Sequence, residues 1–161
     1  MTRPAIKDWA FQAVLGSAEL DEQIGEAMTE VYKGLLVFMF DGGGAAIPVG
    51  TLLEIPLLHA DLTITSTTIK GMDPSSDFTS DWGITVDLLY PPSAESLPAD
   101  SDTICSASPP VLAGVDRYDQ NTSLTGWTTA LVEGRSLAAK VDANTGHTKV
   151  ALAIKTNRTS E

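Results

Sequence analysis

Carboxylates are the side chains of this sequence best suited to chemistry, and the first group of them lies in one loop. Asp73, Asp77 and Asp81 recur at four-residue steps between residues 73 and 81, with hydroxyl side chains between them. Oxygen ligands of this kind suit a hard cation such as Ca²⁺, which takes about six to eight of them. The spacing matches no known calcium loop, and aspartate is also a common turn residue. We therefore interpret this segment as a structural loop and predict no metal site.

A second group of carboxylates consists of Asp87, Asp100 and Asp102. Glycoside hydrolysis needs two carboxyl groups across a sugar bond, but nothing in the sequence places two of these on opposite sides of a cleft. The two histidines, His59 and His147, belong to no recognisable nucleophile or metal motif, so we interpret both as loop residues. The sequence predicts a protein that is not an enzyme, with no catalytic residue and no cofactor.

The triple glycine Gly42–Gly44 and the single cysteine also have plain structural interpretations. A phosphate-binding loop would need its glycines to open a helix and a Lys, Ser or Thr to contact the anion. Here Ala45 to Pro48 follow instead, which indicates a turn. Cys105 has no second cysteine to pair with and no neighbouring histidine or cation. We expect it to be a small, half-buried apolar residue rather than a reactive thiol.

Aromatic residues are the remaining candidates for ligand contact, because an exposed ring can stack on a sugar. Trp82 lies between the acidic loop and a predicted strand, and Tyr118 lies in a polar segment. These two are the candidate ligand-facing residues. Packing in the core is the commoner fate of an indole, and we predict it for Trp127.

The elements that must position these residues are short strands. After Gly34 the chain is a series of apolar or alternating runs broken by Gly, Pro, Asp and Ser. Strands are predicted at 35–40, 52–57, 62–69, 83–90, 111–115, 123–129, 135–141 and 149–155. The first, which is apolar throughout, is interpreted as a buried strand. About eight strands with turn signals between them predict a mainly β protein, an antiparallel β-sandwich that is jelly-roll-like.

The segment before Gly34 has a helical pattern. From Ser17, a predicted N-cap, apolar residues recur at steps of three and four while acidic residues occupy the other face, which predicts an amphipathic helix ending near Gly34. We predict two parts, an N-terminal arm and helix at 1–33 and a β-sandwich domain at 34–161. The candidate contacts for anchoring or oligomerisation are Trp9, Phe11, Val14, Leu15, Leu20, Ile24, Met28 and Val31.

Composition excludes several classes of partner. The chain has 161 residues, with 10 Lys and Arg against 21 Asp and Glu, so its formal net charge is −11. An acidic protein repels phosphate backbones, and we expect no nucleic acid partner. No apolar run approaches the roughly 20 residues needed to cross a bilayer, so we expect no membrane association.

Several motifs of the body resemble a β-sandwich domain of tailed-bacteriophage virion proteins, over about residues 35 to 156. The shared features are the DGGG turn at Asp41–Gly44, Val86–Asp87 leading to Pro91–Pro92, and LTGWTT at Leu124–Thr129. The sequence departs from the pattern at Leu88–Leu89, where the family usually has a tryptophan.

The resemblance implies a non-enzymatic structural protein of the virion, made in the host cytoplasm. Domains of this kind occur in capsid decoration (cement) proteins, head fibres and tail proteins. The implied partner is the major capsid protein or another virion protein, and we expect a homo-oligomer, with a trimer favoured, because symmetric association multiplies weak contacts. The alternative is a carbohydrate-binding or receptor-binding module of a tail or fibre protein, with a glycan as a possible ligand.

Overall fold

Alternating apolar residues after Gly34 form β-strands in the computed structural model, which describes residues 34–72, 82–114 and 116–159. Nine strands and one 3₁₀ helix, Asp100–Asp102, lie in these ranges. The strands are β1 Leu35–Asp41, β2 Leu52–Ile55, β3 Leu62–Gly71, β4 Ile84–Leu89, β5 Val111–Leu112, β6 Tyr118–Asn121, β7 Ala130–Leu131, β8 Leu137–Asn144 and β9 Lys149–Arg158.

The strands form two antiparallel sheets. The five-stranded sheet has the order β1-β9-β3-β6, with β7 also pairing with β3, and the four-stranded sheet has the order β2-β8-β4-β5. Both sheets contribute to one continuous apolar core, which confirms the predicted mainly β, antiparallel β-sandwich. The largest side chains that are fully buried in it include Phe40, Ile69, Ile84, Leu88, Leu137, Leu152 and Ile154.

One predicted strand, at 123–129, is wrong. Gly126 has a φ of 82°, and the Trp127 N–H donates to the Leu124 carbonyl at 3.1 Å, so the segment turns instead of extending. Strands β6 and β7 lie on either side of it. The glycine accounts for the turn, because a positive φ has no steric cost there. Trp127 is buried, as predicted, and its indole N–H donates to the Ser108 carbonyl at 3.2 Å.

The interpretation of β1 as a buried strand is wrong for three of its six apolar residues. Phe38 and Phe40 are 3% and 1% exposed, whereas Leu35, Val37 and Met39 are 64%, 44% and 46% exposed. Successive side chains of a strand point to opposite faces, and only the inner face packs against the other sheet. An all-apolar run hides this alternation.

The predicted helix, the apolar residues from Trp9 to Val31 and the acidic loop 73–81 lie outside the described residues. The division between 1–33 and 34–161 therefore stays a prediction. Within residues 34–72, 82–114 and 116–159, no helix has the length and hydropathy of a membrane span.

Candidate interaction surface

Four connections leave from one end of the sandwich, which we call the Trp82 end. They join β1 to β2, β3 to β4, β5 to β6 and β8 to β9. The register of the strands shows that these connections share one end of the sandwich. The pairs at this end are Asp41 with Lys149 and Gly71 with Val150 in one sheet, and Ile84 with Asn144 and Leu112 in the other. Both predicted ligand-facing aromatics lie near this end of the fold.

Asn144 joins two of these connections. Its Nδ2 donates to the carbonyls of Ile47 and His147, both at 2.8 Å, and its Oδ1 accepts the His147 N–H at 2.9 Å. The Ile47 N–H also donates to the His147 carbonyl, at 2.9 Å. These bonds hold the β1–β2 loop against the β8–β9 turn, so the side chains carried by that turn have a fixed position.

His147 lies in the β8–β9 turn, but its side chain is completely buried. His147 thus lies in a turn, as predicted, but nothing in the sequence indicated that its side chain is buried. His59 lies in the β2–β3 loop and is exposed. A Cβ at Gly71 would lie 3.3 Å from His147 Cε1. The absence of a side chain at Gly71 makes room for the imidazole, which packs in the interior as an aromatic ring.

Trp82 is partly buried and packs on the same turn. The Gly83 N–H donates to Thr145 Oγ1 at 2.7 Å, which fixes the backbone beside the indole. A Cβ at Gly146 would lie 2.7 Å from three indole atoms, so the ring lies directly over this glycine. The indole also meets the His147 ring edge-on, with centroids 5.9 Å apart. The indole therefore packs against Gly146 and His147, and a ligand could contact only the part of the ring that remains exposed to solvent.

Tyr118 is 54% exposed and is the first residue of β6, opposite Lys70 on β3. The structure thus places Trp82 beside the four-stranded sheet and Tyr118 on an edge strand of the five-stranded sheet. Ligand contact stays a prediction for both residues. Each ring has an accessible part, but the two rings belong to different elements.

The triple glycine forms the predicted turn. Gly43 and Gly44 have φ angles of 65° and 92°, which favour glycine. The Gly43 N–H donates to Asp41 Oδ1 at 2.8 Å, and Lys149 Nζ lies 3.0 Å from Asp41 Oδ2. The hydrogen bond from Gly43, followed by the contact with Lys149, lowers the pKa of the Asp41 carboxyl below its usual value.

The candidate carboxylates of the second group hold the chain together. Asp87 Oδ1 accepts hydrogen bonds from the Leu88 N–H at 2.8 Å and from Thr103 Oγ1 at 2.7 Å. Asp102 accepts the Ala99 N–H at 2.9 Å, and Asp100 lies 2.7 Å from Lys140 Nζ. These contacts fasten the segment around the 3₁₀ helix to β4 and β8.

Cys105 is fully buried, more deeply than the sequence predicts. Burial raises the pKa of its thiol far above the usual range, because the charged thiolate loses its hydration there. The thiolate is the reactive form of cysteine, so this environment suppresses reactivity.

Sequence reasoning missed a contact at the opposite end of the sandwich. The Arg135 guanidinium lies 3.7 Å from the centroid of the Tyr90 ring, and its Nη2 donates to the Pro91 carbonyl. The Tyr90 hydroxyl accepts the Val132 N–H at 2.6 Å. The sequence signal for this contact was Tyr90 directly before two prolines. Its partner Arg135 lies 45 positions further along the chain (135 − 90), so no local pattern connects them.

Comparison with known proteins finds a structural likeness but no family. No protein-family model matches this chain, and no curated protein matches it. A chain in a solved structure of the capsid of Ralstonia phage GP4 aligns with 79% of this chain and 84% of its own length, at 14% identity and a TM-score of 0.38. At that TM-score the alignment does not establish a common fold.

Proposed function

We propose that this chain is a non-enzymatic structural protein of a tailed-phage virion, a capsid decoration or head-fibre protein. In this proposal residues 1–33 attach to the major capsid protein or to another virion protein, and 34–161 form a jelly-roll body displayed on the particle. The protein is made in the host cytoplasm and assembles as a homo-oligomer, a trimer.

The order of strand pairing is the observation that carries the proposal. A jelly roll is one long hairpin wrapped into two sheets, so that the first strand pairs with the last and the second with the last but one. Here β1 pairs with β9, β2 with β8, β3 with β6 and β7, and β4 with β5, alternately in the two sheets. Viral capsid domains use this architecture, and so do lectins and cupins.

The motifs that resemble phage virion proteins favour the virion among these roles, because a fold alone does not specify a function. The DGGG motif forms the turn after β1. In LTGWTT, Gly126 turns the chain and Trp127 is buried. Val86 points into the core while Asp87 binds Thr103. The residues that carry the resemblance therefore occupy positions that specify the fold.

The state of the carboxylates supports a non-enzymatic role. Asp87 and Asp102 accept hydrogen bonds from neighbouring backbone or hydroxyl groups, and Asp100 pairs with Lys140. The bonds to Thr103 and Lys140 join separate segments of the chain, whereas those from the Leu88 and Ala99 N–H groups are local. We therefore assign these carboxylates to the architecture of the body.

Binding of full-length variants to capsids assembled without this protein tests the attachment. Leu20→Glu places a charge on the predicted apolar face of residues 1–33, and we expect it to reduce cosedimentation with capsids at least tenfold. Leu97→Glu is the matched control, because it makes the same change at a side chain that is 83% exposed on the body. Binding of Leu20→Glu at the wild-type level would contradict the proposed anchor. Native mass measurement in the same samples tests the threefold association, which requires a number of copies divisible by three.

Glycan binding is the second candidate function, and the exposure of Tyr118 is the observation that favours it. A glycan array should then show a signal for the wild type that Tyr118→Ala abolishes. Trp82→Phe, which keeps a ring over Gly146, is the matched variant for the second aromatic. An array on which the wild-type protein binds nothing removes this candidate.

A further inference from the structure

The outer face of β1 carries a row of exposed apolar side chains, which we call the β1 strip. It consists of Leu35, Val37 and Met39, which are 64%, 44% and 46% exposed. Their register partners on the neighbouring strand β9 are Lys155, Ala153 and Ala151. The two alanines are apolar and extend the row across the sheet. Their side chains are too small to cover Val37 and Met39.

Sheet edges attract further strands, and proteins normally block them with short length, charge, proline or a bulge. Three of the four edges in the described sheets are blocked in this way. Strand β6 has four residues and carries Asp119, β2 has four residues, contains Glu54 and stops before Pro56, and β5 has two residues after Pro110. All three are poor templates for another strand.

Strand β1 lacks these devices. It has seven residues, LLVFMFD, of which the first six are uncharged, and none is proline. Its register with β9 is unbroken from Leu35 to Asp41, and within the described residues β9 is its one paired neighbour. A long, apolar and regular edge strand is an expected site of strand pairing between chains.

We propose that a second copy of this chain pairs with β1 in antiparallel fashion, through a two-fold axis at Phe38. In this register Val37 lies opposite Met39 of the second copy, and Leu35 lies opposite Asp41 of the second copy. The inner and outer faces of the two sheets stay continuous, because directly opposed residues of paired strands point to the same side. The two β1 strips join into one apolar band.

Charge complementarity favours a second copy over an unrelated strand. At each end of the joined band, Asp41 of one copy lies between its own Lys149 and the second copy's row of Leu35 and Lys155. Lys149 is thus directly beside the carboxylate, Lys155 of the second copy lies two strands away on the same face, and no like charges are directly opposed. Like charges directly opposite each other would destabilise the joined sheet, and this register avoids them. Strand β1 is thus complementary to β1 of a second copy.

The mass of the full-length protein in solution, measured by light scattering over a concentration series, tests this pairing. We expect an even number of copies, which is six if a threefold contact through residues 1–33 also forms. Val37→Lys should halve that number, and Met39→Glu should do the same. Val132→Lys is the matched control, because it makes the same change at a valine that is 49% exposed, and it should keep the wild-type mass.

An odd number of copies for the wild type, or an unchanged mass for Val37→Lys and Met39→Glu, would overturn the proposal. Circular dichroism checks that each variant is folded. A wild-type monomer would point to pairing with a different protein instead of a second copy, and it too would overturn the proposal. These outcomes do not depend on capsid binding, so failure here and failure of the virion role are distinguishable.

Disulfide trapping tests the register. We expect a mixture of Val37→Cys and Met39→Cys proteins to cross-link on oxidation more efficiently than either variant alone, because these positions are directly opposed only between unlike variants. The buried Cys105 contributes little background. Equal trapping in the mixture and in the separate variants would overturn the Phe38-centred register.

Discussion

The outer faces of the two sheets differ in how they are completed. On the four-stranded sheet, Leu89 and Ala138 point away from the main core, yet both are buried, at 1% and 0% exposure. On the same face Lys140 binds Asp100, so the segment around the 3₁₀ helix packs there. On the five-stranded sheet, the β1 strip has no such cover among the described residues. Within the described residues, the chain thus completes one outer face with its own segment and leaves the β1 strip on the other face uncovered.

Truncation of one apolar side chain on each outer face should give the largest difference between them. We expect Leu89→Ala to lower the free energy of unfolding by about 2–5 kcal/mol, because it removes buried methyl groups and leaves a cavity. Val37→Ala should change it by less than about 0.5 kcal/mol, as exposed positions usually do. Urea denaturation at high dilution measures both. Equal effects of the two substitutions would contradict the burial of Leu89 and the exposure of Val37.

Loss of the Tyr90 hydroxyl should have a smaller effect on the covered side. Tyr90 follows β4, where the chain leaves the sheet toward the covering segment, and it is 7% exposed. Tyr90→Phe removes the acceptor of the Val132 N–H while keeping the ring under Arg135. We expect a loss of about 1 kcal/mol, the usual net value of one hydrogen bond. Tyr118→Phe is the control, and a similar loss in both would contradict the role of this bond.

The contrast between the faces also shows what the sequence could predict. The sandwich follows from alternation and turn residues, as in Val150, Leu152 and Ile154 on β9, all of which are buried. The exposed side of β1 was not predictable in this way, because Leu35 to Phe40 are all apolar and alternation gives no sign of a solvent-facing row. Periodicity reports a face only where its residues differ in polarity.

The candidate sites were predicted less completely, because they depend on contacts between distant segments. The burial of His147 requires the missing side chain of Gly71, and the position of Trp82 requires Gly146. Local sequence shows the glycines but does not show which ring lies over each of them. The ion pair of Lys140 with Asp100, on the same outer face as Leu89 and Ala138, likewise joins segments that no local pattern connects.

The ion pair that holds the covering segment should contribute less than the apolar contacts beneath it. Lys140 Nζ lies 2.7 Å from Asp100 and 3.3 Å from Asp142, but Asp100 is highly exposed. We expect Lys140→Met to cost less than about 1 kcal/mol, because exposed ion pairs are weak. The effect should shrink further in high salt. Urea denaturation at two salt concentrations measures this effect, and Lys155→Met on the other sheet is the matched control. A large loss of stability that does not depend on salt would contradict an ionic origin.

The smallest expected effect concerns Asp41, at the end of the β1 strip. The Gly43 N–H, followed by Lys149, lowers the pKa of this carboxyl below 3.8, so its contribution to stability is present above the unfolded-state pKa and is lost as the pH falls through the folded-state pKa. An NMR titration should place the midpoint below 3.8. Lys149→Gln should raise this midpoint only in part, because the Gly43 hydrogen bond, which has the larger effect on the pKa, remains.

The same titration distinguishes a bare β1 strip from a paired one. Pairing through Phe38 brings Lys155 of the second copy toward Asp41, and a nearby cation lowers the pKa of a carboxyl. The midpoint of Asp41 should therefore fall further as the protein concentration rises, and this dependence should disappear in Val37→Lys. A midpoint that stays the same at all concentrations and equals that of Val37→Lys would mean that Asp41 is affected only by its own chain.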